Sequence, residues 1–185
     1  MLLYENFVRK NMSEKRYIHS VNVAKVAAKL AKKYGGRPEK ARIAGILHDI
    51  TKEWGYRKHL DILKKYGVKV NKYEINSKKL LHALSGSVYI KYILEIKDKD
   101  IINSVRYHTT ARSGMSLLEK VVYIADFISE ERTFFGVEYL RSLADKSLDS
   151  VFPAAINQSM RELINSKRII HPNTFNAYNE SIKTL

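Results

Sequence analysis

The amino-acid sequence predicts a single all-α domain, and three observations carry that expectation. Only 3 prolines and 8 glycines interrupt 185 residues. Between them, apolar residues recur at steps of three and four, the period of a helix that buries one face. Strand-like alternation is confined to Val68-Lys69-Val70, which is too short to weigh. No linker, repeat or low-complexity tract divides the chain. Residues 1–185 are therefore expected to form one domain, with a core over about 13–165 and a helical extension over about 166–185.

Each element has its own local signal. Ser13 is placed to cap a helix running to Tyr34, which the Gly35-Gly36 pair stops. Its inward stripe is His19, Val23, Val26, Ala27, Leu30 and Tyr34. Pro38 suits the first position of the next helix, because its missing N–H is unpaired there in any case. That helix carries Ala41, Ala44, Gly45 and His48 on one side, a face of small residues suited to close packing. Further helices are predicted over 56–66, 83–95, 99–107, 116–129, 136–145, 147–166 and 173–183. His82 then falls where Leu80-Leu81 meets the helix starting at Ala83. His59, within Lys58-His59-Leu60-Asp61, is expected on a solvent-side face. His171, ahead of Pro172, marks a turn or a helix start. The segment Asn173–Leu185 either covers a pocket or packs against a partner subunit.

Composition narrows the function. Hydrophobic residues at 45% and charged residues at 28% are ordinary for a soluble globular protein. No stretch approaches the ~18–20 apolar residues of a membrane span, and the charged opening segment is unlike a signal-peptide core, so a cytoplasmic protein is expected. The net charge of +14 invites a nucleic-acid partner, but 22 lysines against 11 arginines is the wrong balance for base reading. The lysines are also scattered at helical spacing, as on a solvated face. Nucleic acid is therefore not the expected partner, although a positive field attracts any polyanionic substrate. With no cysteine, any metal must be held by nitrogen and oxygen.

Six such donors are spaced along the chain: His19, the pair His48-Asp49, His82, His108 and Asp126. Asp126 follows Leu118, Val122 and Ala125 on one helical face, and an unpartnered buried carboxylate is costly. No lysine or arginine lies one turn away on that stripe, which favours a metal as its counter-charge. His108 follows Ile101, Ser104 and Val105 in the same manner. His48 and Asp49, about 100° apart on a helix, can flank one cation, or Asp49 can bridge two. His19, His48, Asp49 and Asp126 satisfy one ion. His82 and His108 are then left over, which argues for a second ion sharing Asp49. Two divalent cations with open coordination positions and a bridging hydroxide form a centre for phosphoester or phosphoanhydride cleavage. Such histidine-rich, sulfur-free ligation suits iron or manganese, with zinc, nickel or cobalt also compatible.

The order H…HD…H…H…D, with Leu47-His48-Asp49-Ile50-Thr51-Lys52 around the pair, resembles the HD-superfamily phosphohydrolases. Arg106-Tyr107-His108-Thr109-Thr110, Met115-Ser116-Leu117-Leu118-Glu119-Lys120 and Tyr123-Ile124-Ala125-Asp126-Phe127-Ile128 are similar to the bacterial YqeK family. The resemblance spans roughly 13–165 and implies an HD-domain helical bundle, usually a homodimer, with a di-iron centre. It also implies symmetrical hydrolysis of diadenosine tetraphosphate to two ADP. By the same resemblance the six donors inherit ligand roles, with Asp49 central to catalysis. Lys52 occupies the HDxxK position expected to meet substrate phosphate. Arg132 follows Asp126 where the family pattern places an arginine, Thr109 and Thr110 border the second-metal histidine, and Arg112 is a further candidate for phosphate. Two departures lie in neighbouring loops: Ala111 stands where glycine is expected, and Ser129-Glu130 where relatives read Glu-Pro. Two rival readings differ in substrate or in class. One is an HD-type nucleotide phosphatase or guanosine-polyphosphate hydrolase; the other is a non-catalytic metal- or RNA-binding module.

Overall fold

A computed structural model describes residues 2–183, and in it the described residues form ten helices and no strand. They are α1 (Leu2–Asn11), α2 (Glu14–Lys33), α3 (Pro38–Leu47), α4 (Tyr56–Lys65), α5 (Lys78–Tyr92), α6 (Lys99–Tyr107), α7 (Leu117–Ile128), α8 (Val137–Ala144), α9 (Leu148–Asn165) and α10 (Pro172–Ile182). Residues 184 and 185, the end of the expected C-terminal extension, lie outside the described residues.

The local signals act where they stand in the sequence. The Ser13 hydroxyl accepts from the backbone N–H of Arg16 and caps α2. Gly35 takes φ +75°, the left-handed conformation that ends the helix without a Cβ penalty. Pro38 opens α3. A Cβ on Gly45 would lie 2.7 Å from Ala24 Cα and 2.9 Å from Ala24 N, so only glycine lets α3 approach α2 this closely. Every residue from Val121 to Ala125 is fully buried, so the middle of α7 is enclosed on all sides and runs through the core. The main hydrophobic cluster extends from Val8 in α1 to Ala177 in α10. A smaller cluster of Leu63, Leu81, Leu84 and Val88 joins α4 to α5.

Four differences from the sequence reading bear on the site. Helix α1 was not anticipated; it lacks a cap signal in the sequence and is held through buried Val8. Helix α5 begins at Lys78, because its first turn carries polar, solvent-facing residues that the apolar period does not mark. His82 therefore lies inside the helix and not at a junction. The His48-Asp49 pair does not continue α3; after Leu47 the chain tightens into successive turns, with Ile50 N donating to Leu47 O (3.1 Å) and Lys52 N to Asp49 O (2.8 Å). His59 is fully buried, not solvent-facing. It shares a face with Leu63, four residues on, and both turn toward α5.

Candidate metal centre

Five elements deliver the six donors to one place: His19 from α2, His48 and Asp49 from the turn after α3, His82 from α5, His108 from the end of α6 and Asp126 from α7. Asp49 is at the middle. Its Oδ2 faces His48 Nε2 (3.4 Å) and His19 Nε2 (3.8 Å), while its Oδ1 faces His82 Nε2 (2.9 Å) and His108 Nε2 (3.4 Å). Asp126 Oδ1 completes the first group at 3.1 Å from His19 Nε2 and 4.0 Å from His48 Nε2. Two overlapping sets, His19-His48-Asp126 and His48-Asp49-His108, each bring their donor atoms within 4.8 Å of one another.

The orientation of the rings is decisive. His48 and His108 each follow the last residue of a helix, and each Nδ1 lies 2.7 Å from the carbonyl three residues back, Gly45 O and Val105 O. Those carbonyls are orphan acceptors at a helix end, so they take an N–H and leave each Nε2 with its lone pair toward the cluster. His19 Nε2 lies 3.2 Å from His48 Nε2, and His82 Nε2 lies 3.0 Å from His108 Nε2. Two nitrogens bound at right angles to one cation, each ~2.1 Å away, are ~3 Å apart. The donors therefore fit divalent cations in chemistry and in spacing. Asp49 Oδ1 points the same way: it is buried and makes no well-directed hydrogen bond, although nitrogens crowd it.

The electrostatics follow from burial set against neighbours. Burial pushes His48 down, and pushes His82 down to about 3, so both stay neutral and able to ligate. Burial would raise Asp49, but the imidazoles of His48, His108 and His82 gathered around it hold it well below the usual carboxylate range. Asp126 is held down likewise, against its own burial, by His19, His48 and Arg132. His19 runs the other way: burial lowers it, yet Asp126 and Glu131 raise it overall.

The remaining expected site residues divide into groups. Lys52 Nζ lies 3.4 Å from Asp49 Oδ1 and 3.3 Å from His82 Nε2. Lys52, Thr109 and Thr110 line a cavity of about 470 Å³ that also reaches His108 and Asp126. The Thr109 hydroxyl is buried with no hydrogen-bond partner, whereas Thr110 Oγ1 donates to Ala111 O at 2.8 Å. Arg132 Nε donates to Asp126 O at 2.8 Å, and its guanidinium pairs with the Asp126 carboxylate. The helical stripe of Asp126 holds no basic residue, but a cation reaches it from the loop after α7. Arg112 is forked on buried Glu119 at 2.8 and 2.6 Å and does not line the cavity.

Three contributors were not foreseen. Arg16 Nη1 pairs with Asp49 Oδ2 at 2.6 Å, and its place one turn before His19 on α2 was a usable signal. Glu131 receives His19 Nδ1 on Oε1, a hydrogen bond from Ser129 Oγ on the same oxygen (2.7 Å) and one from Asn22 Nδ2 on Oε2 (2.8 Å). Burial would raise Glu131, but those three partners bring it down to about 2. Buried His59 ends a chain in which Ser85 Oγ lies 2.7 Å from its Nδ1 and 3.0 Å from Thr51 Oγ1, and Thr51 Oγ1 donates to His82 O at 2.8 Å.

Comparison with known proteins gives the family. The HD domain family matches residues 16–131. The chain is 36% identical over 172 residues to a Bacillus subtilis (strain 168) protein named bis(5'-nucleosyl)-tetraphosphatase, symmetrical, spanning 93% of this chain and 92% of that one. It is 34% identical over 175 residues to a Halalkalibacterium halodurans protein of the same name, spanning 94% and 92%. A crystal structure of an HD superfamily hydrolase from Clostridium acetobutylicum, described as involved in NAD metabolism, superposes with a TM-score of 0.94 at 37% identity, covering 98% of this chain and 96% of that one. Six donors converging as an HD centre requires, and a match of this extent, have one reading: the chain belongs to the HD-domain family of hydrolases.

Proposed function

We propose that this protein is a metal-dependent phosphohydrolase that cleaves diadenosine tetraphosphate symmetrically into two ADP. The observation that carries the reading is the placement of Asp49 between two pairs of imidazoles whose Nε2 atoms face each other at 3.2 and 3.0 Å. His19, His48, Asp49 and Asp126 would hold one divalent cation, and His82, His108 and the shared Asp49 a second, with iron the preferred occupant. The named activity of the relatives, at 36% and 34% identity over nearly the whole chain, supports the substrate.

Bound cations would supply Lewis-acid charge and lower the pKa of a water at the centre. The chain's own residues do the rest. Lys52, at the cavity wall beside Asp49, and Arg132, beside Asp126, neutralise phosphate charge that grows as the anhydride breaks. The unpartnered Thr109 hydroxyl offers a donor to a non-bridging phosphate oxygen. One bond forms between a water oxygen and an inner phosphorus. The bond from that phosphorus to the central bridging oxygen breaks, and the oxygen leaves on the second ADP. A nucleoside diphosphate is a good leaving group, so no dedicated general acid is required. We also infer a homodimer: Phe135 and Tyr139, 98% and 62% exposed, are large apolar side chains that a second copy would cover.

The test joins metal analysis to product analysis. Anaerobically purified protein should carry two metals per chain and convert diadenosine tetraphosphate to ADP as sole nucleotide product. ATP with AMP among the products, or full turnover with one metal per chain, would overturn the reading.

A further inference from the structure

The cavity beside the donor cluster has a second wall. One part of its lining is Lys52, His108, Thr109, Thr110 and Asp126; the rest comes largely from residues 72–80 and from 167–174, which take in the connection after α9 and the first turn of α10. The latter lies outside the stretch matched by the HD family. These two segments are fastened to each other, since Asn71 Nδ2 lies 3.4 Å from His171 Nε2 and the Tyr73 ring meets His171 edge-on at 5.6 Å. They are fastened to the centre as well: Thr174 Oγ1 donates to Thr110 O at 2.8 Å, two residues beyond His108. Beneath the first segment, fully buried Glu74 pairs with Arg106 of α6. The wall is thus built into the fold, and α10 has a task that the donor cluster alone does not explain.

Its chemistry is specific. Among the described residues Lys72, Lys79 and Lys167 pair with no carboxylate, yet all three face the same cavity. Beside them Tyr73, whose ring carries Lys72 Nζ over one face at 5.2 Å, and Ile169, 74% exposed, offer apolar surface, while the lining carboxylate Glu162 is paired with Arg168. Cations next to an aromatic and an aliphatic face form the complement of a nucleotide: anionic phosphates with an apolar, stackable base. At about 470 Å³ the cavity is of small-ligand size.

We propose that residues 72–79 and 167–169 form a nucleotide-recognition subsite, in which Lys72, Lys79 and Lys167 hold the phosphates remote from the cleaved bond and Tyr73 with Ile169 receives the base. The proposal rests on the nucleotide-hydrolase reading for its substrate class. It assigns specificity to the C-terminal part of the chain and bond cleavage to the HD core.

Binding and turnover separate the two readings. Calorimetry on chelator-treated protein should show ADP binding at least tenfold more tightly than inorganic pyrophosphate. The double variant Lys79→Ala/Lys167→Ala should weaken both ligands roughly tenfold, and Lys79→Arg/Lys167→Arg should restore them. Ile169→Asp should weaken ADP alone. On metal-loaded protein the same alanine variants should raise KM for diadenosine tetraphosphate about tenfold while leaving hydrolysis of bis(4-nitrophenyl) phosphate within twofold of wild type. All these positions are at the surface, and an unchanged thermal midpoint checks folding. ADP binding no tighter than pyrophosphate, or variants that bind ADP as wild type does, would overturn the subsite. A wild-type protein that keeps the ADP preference but does not cleave the dinucleotide would retain the subsite and sink the proposed function instead.

Discussion

Glu131 offers the sharpest test of how the centre is tuned, because it acts on only one side of it. His48 and His108 rest their Nδ1 atoms on neutral backbone carbonyls, whereas His19 rests its own on a carboxylate. An ionised partner makes the ring a more basic ligand and places a negative charge one ring-width from the cation. Glu131→Gln keeps the shape and one acceptor oxygen but removes the charge. Loss of such an outer partner typically weakens metal binding by about 10–100-fold. The Glu131 side chain is 34% exposed, so solvent screening favours the lower end, about tenfold or ~1.4 kcal/mol. The weakening should fall on one binding step only, since among the described residues no carboxylate side chain outside the six donors pairs with His82 or His108. Competition between the metal-free protein and a chromophoric chelator for Mn2+ resolves the two steps. Equal weakening of both, or of neither, would refute the assignment of Glu131 to the His19 side. Glu131→Asp should fall between Gln and wild type if position matters as well as charge.

Further outcomes follow from single contacts. His108→Ala should lose one of two metals and nearly all turnover, as read by metal analysis and ADP release; a fully active variant would end the dinuclear proposal. Lys52→Ala should raise KM for diadenosine tetraphosphate more than it changes metal content, and unchanged kinetics would remove Lys52 from the site. Gly45→Ala would drive a methyl group against Ala24 backbone at 2.7 Å, so α2 and α3 must part; denaturant unfolding should show a loss of roughly 1–3 kcal/mol, as for other overpacked cores. Burial pushes His59 down to about 4, so between about pH 6.5 and 4 the unfolded chain takes a proton that the folded chain refuses. That contribution to stability is complete above the unfolded value and is lost as pH falls through this window, by at most ~3 kcal/mol. In metal-free protein His59→Leu should flatten the thermal midpoint against pH across that window, and an unchanged slope would remove His59 as its source.

Signals confined to a few adjacent residues were legible in the sequence; those that depend on a distant surface were not. Ser13, Gly35 and Pro38 act through their own backbone, and each begins or ends a helix where its chemistry dictates. The first turn of α5 is solvent-facing, so its start depends on where α4 leaves room and not on an apolar period. His59 misled because Lys58 and Asp61 stand beside it, yet neighbours in sequence point elsewhere on a helix, and Leu63 was the informative residue. Ala111 had been a bare anomaly where glycine was expected. Its φ of +55° supplies the reason for glycine there, and the fully buried methyl group offsets in packing part of the ~1–2 kcal/mol that this conformation costs.

The six side chains that converge were legible as a set because metal chemistry restricts residue types, but a helical stripe is not the whole surroundings of a side chain. No basic residue shares the Asp126 stripe, yet Arg132 supplies a cation from a loop that carries no periodic signal. Asp49 likewise has Arg16. Carboxylates alone would therefore leave the centre explicable as two buried ion pairs. The imidazoles are what that account leaves out. An arginine neutralises a carboxylate, but it leaves unexplained four imidazoles whose Nε2 atoms face each other in pairs at 3.2 and 3.0 Å around Asp49. His82, pushed down to about 3, does not take up a proton at neutral pH to relieve the contact. A divalent cation is the electron-pair acceptor that such paired Nε2 atoms and a shared carboxylate would suit.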